Sequence, residues 1–482
     1  MKTIKLGLFI LTVFILAPLN IRAQVKEIPI TTSSREALEF YLSGRNKQDV
    51  ADFDAALILF EKAIQKDPNF AMAYLSRAYC GGGYNVFRQN LDKAVSLIGK
   101  VSEGEKLMLL YEQASADGNG QKQKEYHDAL LKSFPSDKRV QANAGWYYYS
   151  FGDYPKAVIY FNKAAELDNK YAPAFNTLGI CQSFLNNYTE AEKAFQTYIK
   201  LAPGNADPYD SYAFLLLKMG KDDEAIVQYK KALEKNPAFS SSLAGLGNVY
   251  IFKGDFESAR KYYKDCFDKA TNIDWKFGGL FNKAVSYLYE GKPGNTMTTF
   301  DELATLAQKE KLVPYEVWSY SFKGFTYTEL GQLQEGLKCY EKAIDLVNKS
   351  ALPDADKENM VTSSMLWRIY FLSANNQLDK ATAESDKCKL KIESRKNPGE
   401  EKSFNSFIGY LELKKGNYDK AVQFLNKGDI EDPWVWYYTA VAYNKKGDKQ
   451  NASKQLEKVR KCHLNSLGLA LVRKRALEEL KK

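Results

Sequence analysis

Residues 172–205 read APAFNTLGICQSFLNNYTEAEKAFQTYIKLAPGN, and residues 206–239 read ADPYDSYAFLLLKMGKDDEAIVQYKKALEKNPAF. Laid over each other, these two 34-residue units align Gly179 with Ala213, Asn186 with Gly220, Ala191 with Ala225, Phe195 with Tyr229 and Pro203 with Pro237. The period runs outward in both directions. Gly145, Gly179, Ala213 and Gly247 are 34 apart, and so are Gly152, Asn186, Gly220 and Gly254. Each turn residue follows its small residue by seven, and glycine or asparagine there admits positive φ at the end of a helix. Ala157, Ala191, Ala225 and Ala259 open a second helix, with Phe161, Phe195, Tyr229 and Tyr263 four residues later on the same face. Each alanine lets two helices approach closely, and each aromatic is expected to fill the gap to the next unit. Proline cannot continue the helical ladder, so it ends the unit.

A small residue, a turn residue, a second small residue, an aromatic and a proline at fixed offsets resemble the tetratricopeptide repeat (TPR). The resemblance covers most of the chain. It implies an all-α fold, a right-handed superhelical solenoid of about a dozen antiparallel helix pairs, each touching its neighbours. A chain of 482 residues would otherwise suggest about three globular domains.

The rest of the chain is organised around this array. Residues 1–23 read as a secretory signal: Lys2 and Lys5, then an apolar run from Leu6 to Ala17, Pro18, and Ile21-Arg22-Ala23 before Gln24. The run is shorter than the roughly 20 residues that span a bilayer. Its removal lowers the formal charge of +9 by three, an excess too diffuse for a nucleic-acid footprint. Residues 24–34 are polar and read as a flexible lead. Residues 35–347 form the main array, beginning with Gly44, Ala56, Phe60, Ala63 and Pro68. Cys80-Gly81-Gly82-Gly83 marks an inserted loop, with no phosphate-binding glycine pattern around it. After Thr271 the spacing loosens: Gly291 lies 37 after Gly254 and Gly331 lies 40 after Gly291, which suggests longer connections. Residues 348–362 lack apolar periodicity and read as a linker or irregular joint. Residues 363–463 form a second array, and residues 464–482 a polar helix capping its end.

Composition narrows the chemistry. The only two histidines, His127 and His463, sit in different units, which excludes a multi-histidine metal site or a histidine-based triad. The six cysteines are never closer than 49 residues and read as small buried side chains rather than zinc ligands or bridges. Asp222-Asp223-Glu224 falls at a helix start, where acids favour the N-terminal dipole. No catalytic, cofactor-binding or metal-ligating set emerges.

The resemblance further implies that the first helix of each unit lines a concave groove. By register this wall includes Trp146, Tyr149, Asn176, Asp210, Phe214, Asn248, Phe281, Phe325 and Tyr410. Relatives that grip a terminal carboxylate use a lysine and asparagine clamp; only Asn176 and Asn248 remain here, so an extended peptide or amphipathic helix is the expected occupant. The function expected is a non-catalytic protein-interaction scaffold, periplasmic or secreted, with no nucleic-acid partner. The alternatives are a subunit or regulator of an envelope secretion or assembly machine, or a glycan-binding or hydrolytic protein using the groove as its cleft.

Overall fold

The computed structural model describes residues 27–481. Every regular element among them is a helix, and the helices pair into twelve hairpins. The first six are α1/α2 (Arg35–Gln48, Phe53–Lys66), α3/α4 (Ala71–Ala78, Gly83–Ser96), α5/α6 (Glu103–Ala116, Gly120–Ser133), α7/α8 (Lys138–Ser150, Tyr154–Leu167), α9/α10 (Ala172–Phe184, Tyr188–Leu201) and α11/α12 (Asp207–Lys218, Asp222–Lys235). The next are α13/α14 (Ser240–Lys253, Phe256–Lys269), α15/α16 (Ile273–Tyr289, Pro293–Lys309), α17/α18 (Val313–Glu329, Leu333–Lys349), α19/α20 (Asp354–Ala374, Leu378–Arg395), α21/α22 (Pro398–Lys414, Tyr418–Leu425) and α23/α24 (Pro433–Lys445, Lys449–Lys461). The last helix is α25 (Leu467–Glu479). The all-α solenoid of helix pairs is the observed fold. The signal expected at 1–23 lies outside the described residues. Among those described, no helix is long and apolar enough to cross a membrane.

The turn residues do what their spacing demands. Gly152, Asn186, Gly220 and Gly254 have φ of 68°, 60°, 72° and 76°, each closing the first helix of its hairpin. The small residue and the aromatic are partners within one hairpin. A Cβ built on Gly145 or Gly179 would come within 2.6 Å of the ring of Phe161 or Phe195, and one on Gly44 within 2.7 Å of Phe60. The ring therefore fills a notch in its own hairpin, rather than only the gap to the next unit. Ala157, Ala191, Ala225 and Ala259 are fully buried beside these rings.

The looser spacing after Thr271 comes from longer helices. α15, α16, α17 and α18 each have 17 residues, against 12 to 14 in α7 to α14. The connections stay short. Lengthening by about one turn keeps the apolar stripe on the same side, so the hairpins remain in register. The linker expected at 348–362 is likewise mostly helix: α19 begins at Asp354. Its first turns lack apolar periodicity because they face polar partners. Asp356 lies 3.4 Å from Arg88, and the Asn359 amide donates to the Ala116 carbonyl at 3.0 Å.

These contacts belong to a seam in which later turns of the solenoid lie edge to edge on earlier ones. The turns inside N-terminal hairpins meet the turns between later hairpins. Thr271 donates to Asp54 (2.9 Å), Asn85 to the Lys311 carbonyl (3.2 Å), and Lys402 to the Phe151 carbonyl. Arg139 forks onto Asp49 at 3.0 and 2.6 Å. The glycine run fits here too: a Cβ on Gly83, at φ +75°, would come 2.6 Å from Ile273. The loop is packed against the chain some 190 residues later.

The lead at 27–34, expected to be flexible, is strapped across the same kind of edge. The N–H groups of Ile28, Thr31 and Ser33 donate to Asp137, Glu105 and Asp67, each at 2.8 Å. Its polar residues satisfy buried carboxylates that the hairpins leave over. α25 covers the end of the last hairpin, as a cap does. It also buries Leu467, Leu469, Val472 and Ala476 in a core shared with α15, α17 and α23.

Candidate functional site

Of the residues that register assigns to the middle hairpins, Trp146 is exposed and Tyr149 and Phe214 are half-buried. Trp146 is 43% exposed on α7, edge-on to Tyr149 at 5.2 Å. Tyr149 meets Tyr154 at 5.7 Å, Tyr154 stacks on Phe184 at 4.8 Å, and Phe184 meets Phe214 at 6.2 Å. The Lys218 ammonium lies 4.4 Å from the centre of the Phe184 ring. Three rings from the α7/α8 hairpin and one each from α9 and α11 form a continuous aromatic track. Such rings offer apolar faces with edges that accept polar neighbours.

The polar residues expected in the wall are already engaged. The Asn176 amide donates to Asp207 (3.0 Å), which also accepts the Tyr198 hydroxyl (2.7 Å). Asp210 is buried and accepts from Ser241 (2.8 Å) and Ser242 (2.7 Å). The Asn248 carbonyl oxygen accepts from the Tyr263 hydroxyl (2.8 Å) and the Asn465 amide (3.0 Å). In the later hairpins the inner side is filled. Phe281 lies 4.9 Å from Phe322, and Phe325 and Tyr410 are buried against Tyr370 at 5.3 and 5.2 Å. The structure thus brings Trp146, Tyr149 and Phe214 onto one track. It places Asn176 and Asp210 beside Asp207, and Phe325 and Tyr410 in the core. The difference has one cause: facing hairpins and α25 close over the later positions.

Register alone missed the centre of that closure. Glu329, only 1% exposed at its side chain, accepts from Trp434 Nε1 (2.7 Å), Tyr370 (2.7 Å), Tyr438 (3.0 Å) and Arg475 (2.5 Å). One signal was present. Glu329 ends α17, where the helix dipole disfavours an acid, so a cation must come from elsewhere.

Burial pushes the Asp207 carboxyl up to about 7, with the Asp210 charge adding to the rise. Burial likewise pushes Asp210 up to about 6. A carboxyl whose folded pKa is raised stabilises the fold fully below its ordinary value near 3.8. It loses that contribution as pH climbs through the raised value. Burial of His127 against Tyr147 (4.3 Å) pushes it down to about 4, which opposes acidification below its ordinary value of 6.5. The thermal midpoint is therefore expected to fall from about pH 5 to pH 8, and Asp207→Asn to flatten that slope. Calorimetric scans across this range test it.

Among the described residues, no group of three His, Cys, Asp or Glu is arranged to hold a metal ion. All six cysteines are free. Asp222, Asp223 and Glu224 lie in the first turn of α12, with Asp223 2.8 Å from Lys253.

Comparison with known proteins agrees with the geometry. Residues 123–172, and again 172–205, 240–268 and 319–347, match tetratricopeptide repeat families. The chain is similar to a TPR repeat-containing protein of Methanocaldococcus jannaschii, 25% identical over 348 residues, 70% of this chain and 58% of that protein. It is also similar to the TPR repeat-containing protein YpiA of Bacillus subtilis, 26% identical over 41% of this chain and 53% of that one. The chain therefore spans just over half the length of these curated relatives. Among solved structures, a tetratricopeptide repeat protein from Parabacteroides merdae covers 59% of this chain and 99% of its own, at 14% identity and a TM-score of 0.38. At residues 123–205, 240–268 and 319–347, within this series of helical hairpins, the chain carries tetratricopeptide repeats.

Proposed function

We propose that the protein is a non-catalytic interaction scaffold that holds a peptide or helix of a partner along its inner wall, in the cell envelope. Tetratricopeptide arrays are in general protein-interaction scaffolds. The observation that carries the reading is the aromatic track headed by the exposed Trp146. Large rings left half in water on an inner face bind through apolar contact, and tryptophan and tyrosine dominate such contacts. The amides and carboxylates beside them are tied within the fold, which favours recognition through the rings. The envelope location rests on the basic and apolar start of the sequence.

The test is affinity capture from envelope extract with the wild-type protein and with Trp146→Ala plus Phe214→Ala. A specific protein captured by the wild type is expected to be lost from the double variant, at unchanged helical content. Equal capture of every protein by both would remove the inner wall from the reading.

A further inference from the structure

A cleft of about 370 Å³ opens among α17, α19, α21 and α23, next to the start of α25. Four of its lining rings form a closed circuit. Centroid separations are 5.3 Å for Phe325–Trp367, 5.2 Å for Trp367–Phe407, 6.0 Å for Phe407–Trp434 and 6.1 Å for Trp434–Phe325. The fully buried Tyr370 lies 5.3 to 6.2 Å from all four and stops the circuit from behind. Trp367 and Phe407 are only half-buried, and Ser363 and Asp429 at the rim are exposed, so the cleft is reachable from solvent.

Its polar end is acidic. Asp429 and Asp432, on the loop before α23, line it, and no lysine or arginine does. Asp432 accepts the Trp434 N–H at 2.9 Å. Burial raises its carboxyl to about 7, and the charges of Asp429 and Glu329 push it the same way. Glu329 is answered by Arg475; Asp432 has no such partner among the groups that shift it. The lining is thus a set of aromatic rings and a carboxylate lacking its countercharge. Ring faces attract a cation, and the apolar walls favour an alkyl stem. An anion would meet repulsion, and a neutral ligand would leave the partly buried aspartate uncompensated.

We infer that this cleft binds an alkylammonium group, carried either by a free amine or by a lysine side chain of a partner segment. In the second case the inference rests on the scaffold reading. The experiment is isothermal titration of the purified protein with butylammonium chloride and, in parallel, with 1-butanol. Saturable binding of butylammonium is expected, with none for butanol at the same concentrations. Asp432→Asn and Asp429→Asn are each expected to weaken it about tenfold or more, at unchanged melting temperature. Ser403→Lys, which supplies an internal ammonium, is expected to abolish it should the asparagine variants melt early. Equal binding of butanol, no binding of butylammonium, or variants that bind as the wild type does would each overturn the inference. A second arm compares acetyl-Leu-Lys-Leu-amide with its norleucine counterpart. A tenfold preference for lysine, lost in Asp432→Asn, assigns the group to a partner chain. Equal binding of both peptides overturns the cation site while leaving the peptide-binding inner wall intact.

Discussion

Replacing Arg475 by alanine is expected to cost the C-terminal half about 3 kcal/mol and to loosen α25 from the hairpins it covers. The reason is what stays behind. Glu329 keeps its hydroxyl and indole donors but loses its one ion-pair partner among the described residues, at a side chain 1% exposed to water. Breaking a buried pair by removing one charge costs about 3–5 kcal/mol; Arg475 keeps about a third of its own surface in water, which sets the lower end. Glu329→Gln in the same background removes the stranded charge and is expected to restore much of the loss. Urea unfolding followed by tryptophan fluorescence reads this directly, because Trp434 donates to Glu329. A double variant no more stable than Arg475→Ala would mean that α25 is held by its apolar stripe alone.

Phe195→Ala is expected to cost about 3–5 kcal/mol, in the usual range for deleting a fully buried ring. The ring sits in the notch over Gly179, against Ala191. The informative measurement is its coupling to that glycine. In the wild type Gly179→Ala puts a methyl about 2.6 Å from the ring and is destabilising. With the ring gone the same methyl has room, and alanine's helix propensity adds about 1 kcal/mol. The change is therefore expected to reverse sign between the two backgrounds, measured as a double-mutant cycle on denaturant midpoints. Simple additivity would contradict the notch.

The elements legible in the sequence are those whose cause is local. The turn at Asn186, the notch at Gly179 and the ring of Phe195 recur at fixed offsets because each hairpin repeats the same contacts. The later hairpins showed their helices but not their lengths: a 17-residue helix and a longer loop produce the same change in spacing. Residues 354–362 hid their helix because its partners, Arg88 and the Ala116 carbonyl, are polar and lie more than 240 residues away. The same distance hid the fate of the inner wall. Register assigned Asn248 to the groove, yet the amide that occupies it belongs to Asn465, 217 residues on. Trp367 and Phe407 fell outside the expected wall on α19 and α21, helices of 21 and 17 residues, and Trp434 at the start of α23. Trp146 is exposed in the most regular part of the array, where Tyr149 and Phe214 are half-buried beside it.

The edge-to-edge seam alters the order in which this chain can reach its final form. In an ordinary solenoid each hairpin is complete once its neighbour exists. Here the Phe151 carbonyl waits for Lys402, 251 residues downstream. At ~5–20 residues per second of synthesis, that wait lasts on the order of 10–50 s. During it, the nascent N-terminal hairpins expose a row of unanswered carbonyls and carboxylates to whatever else is at hand.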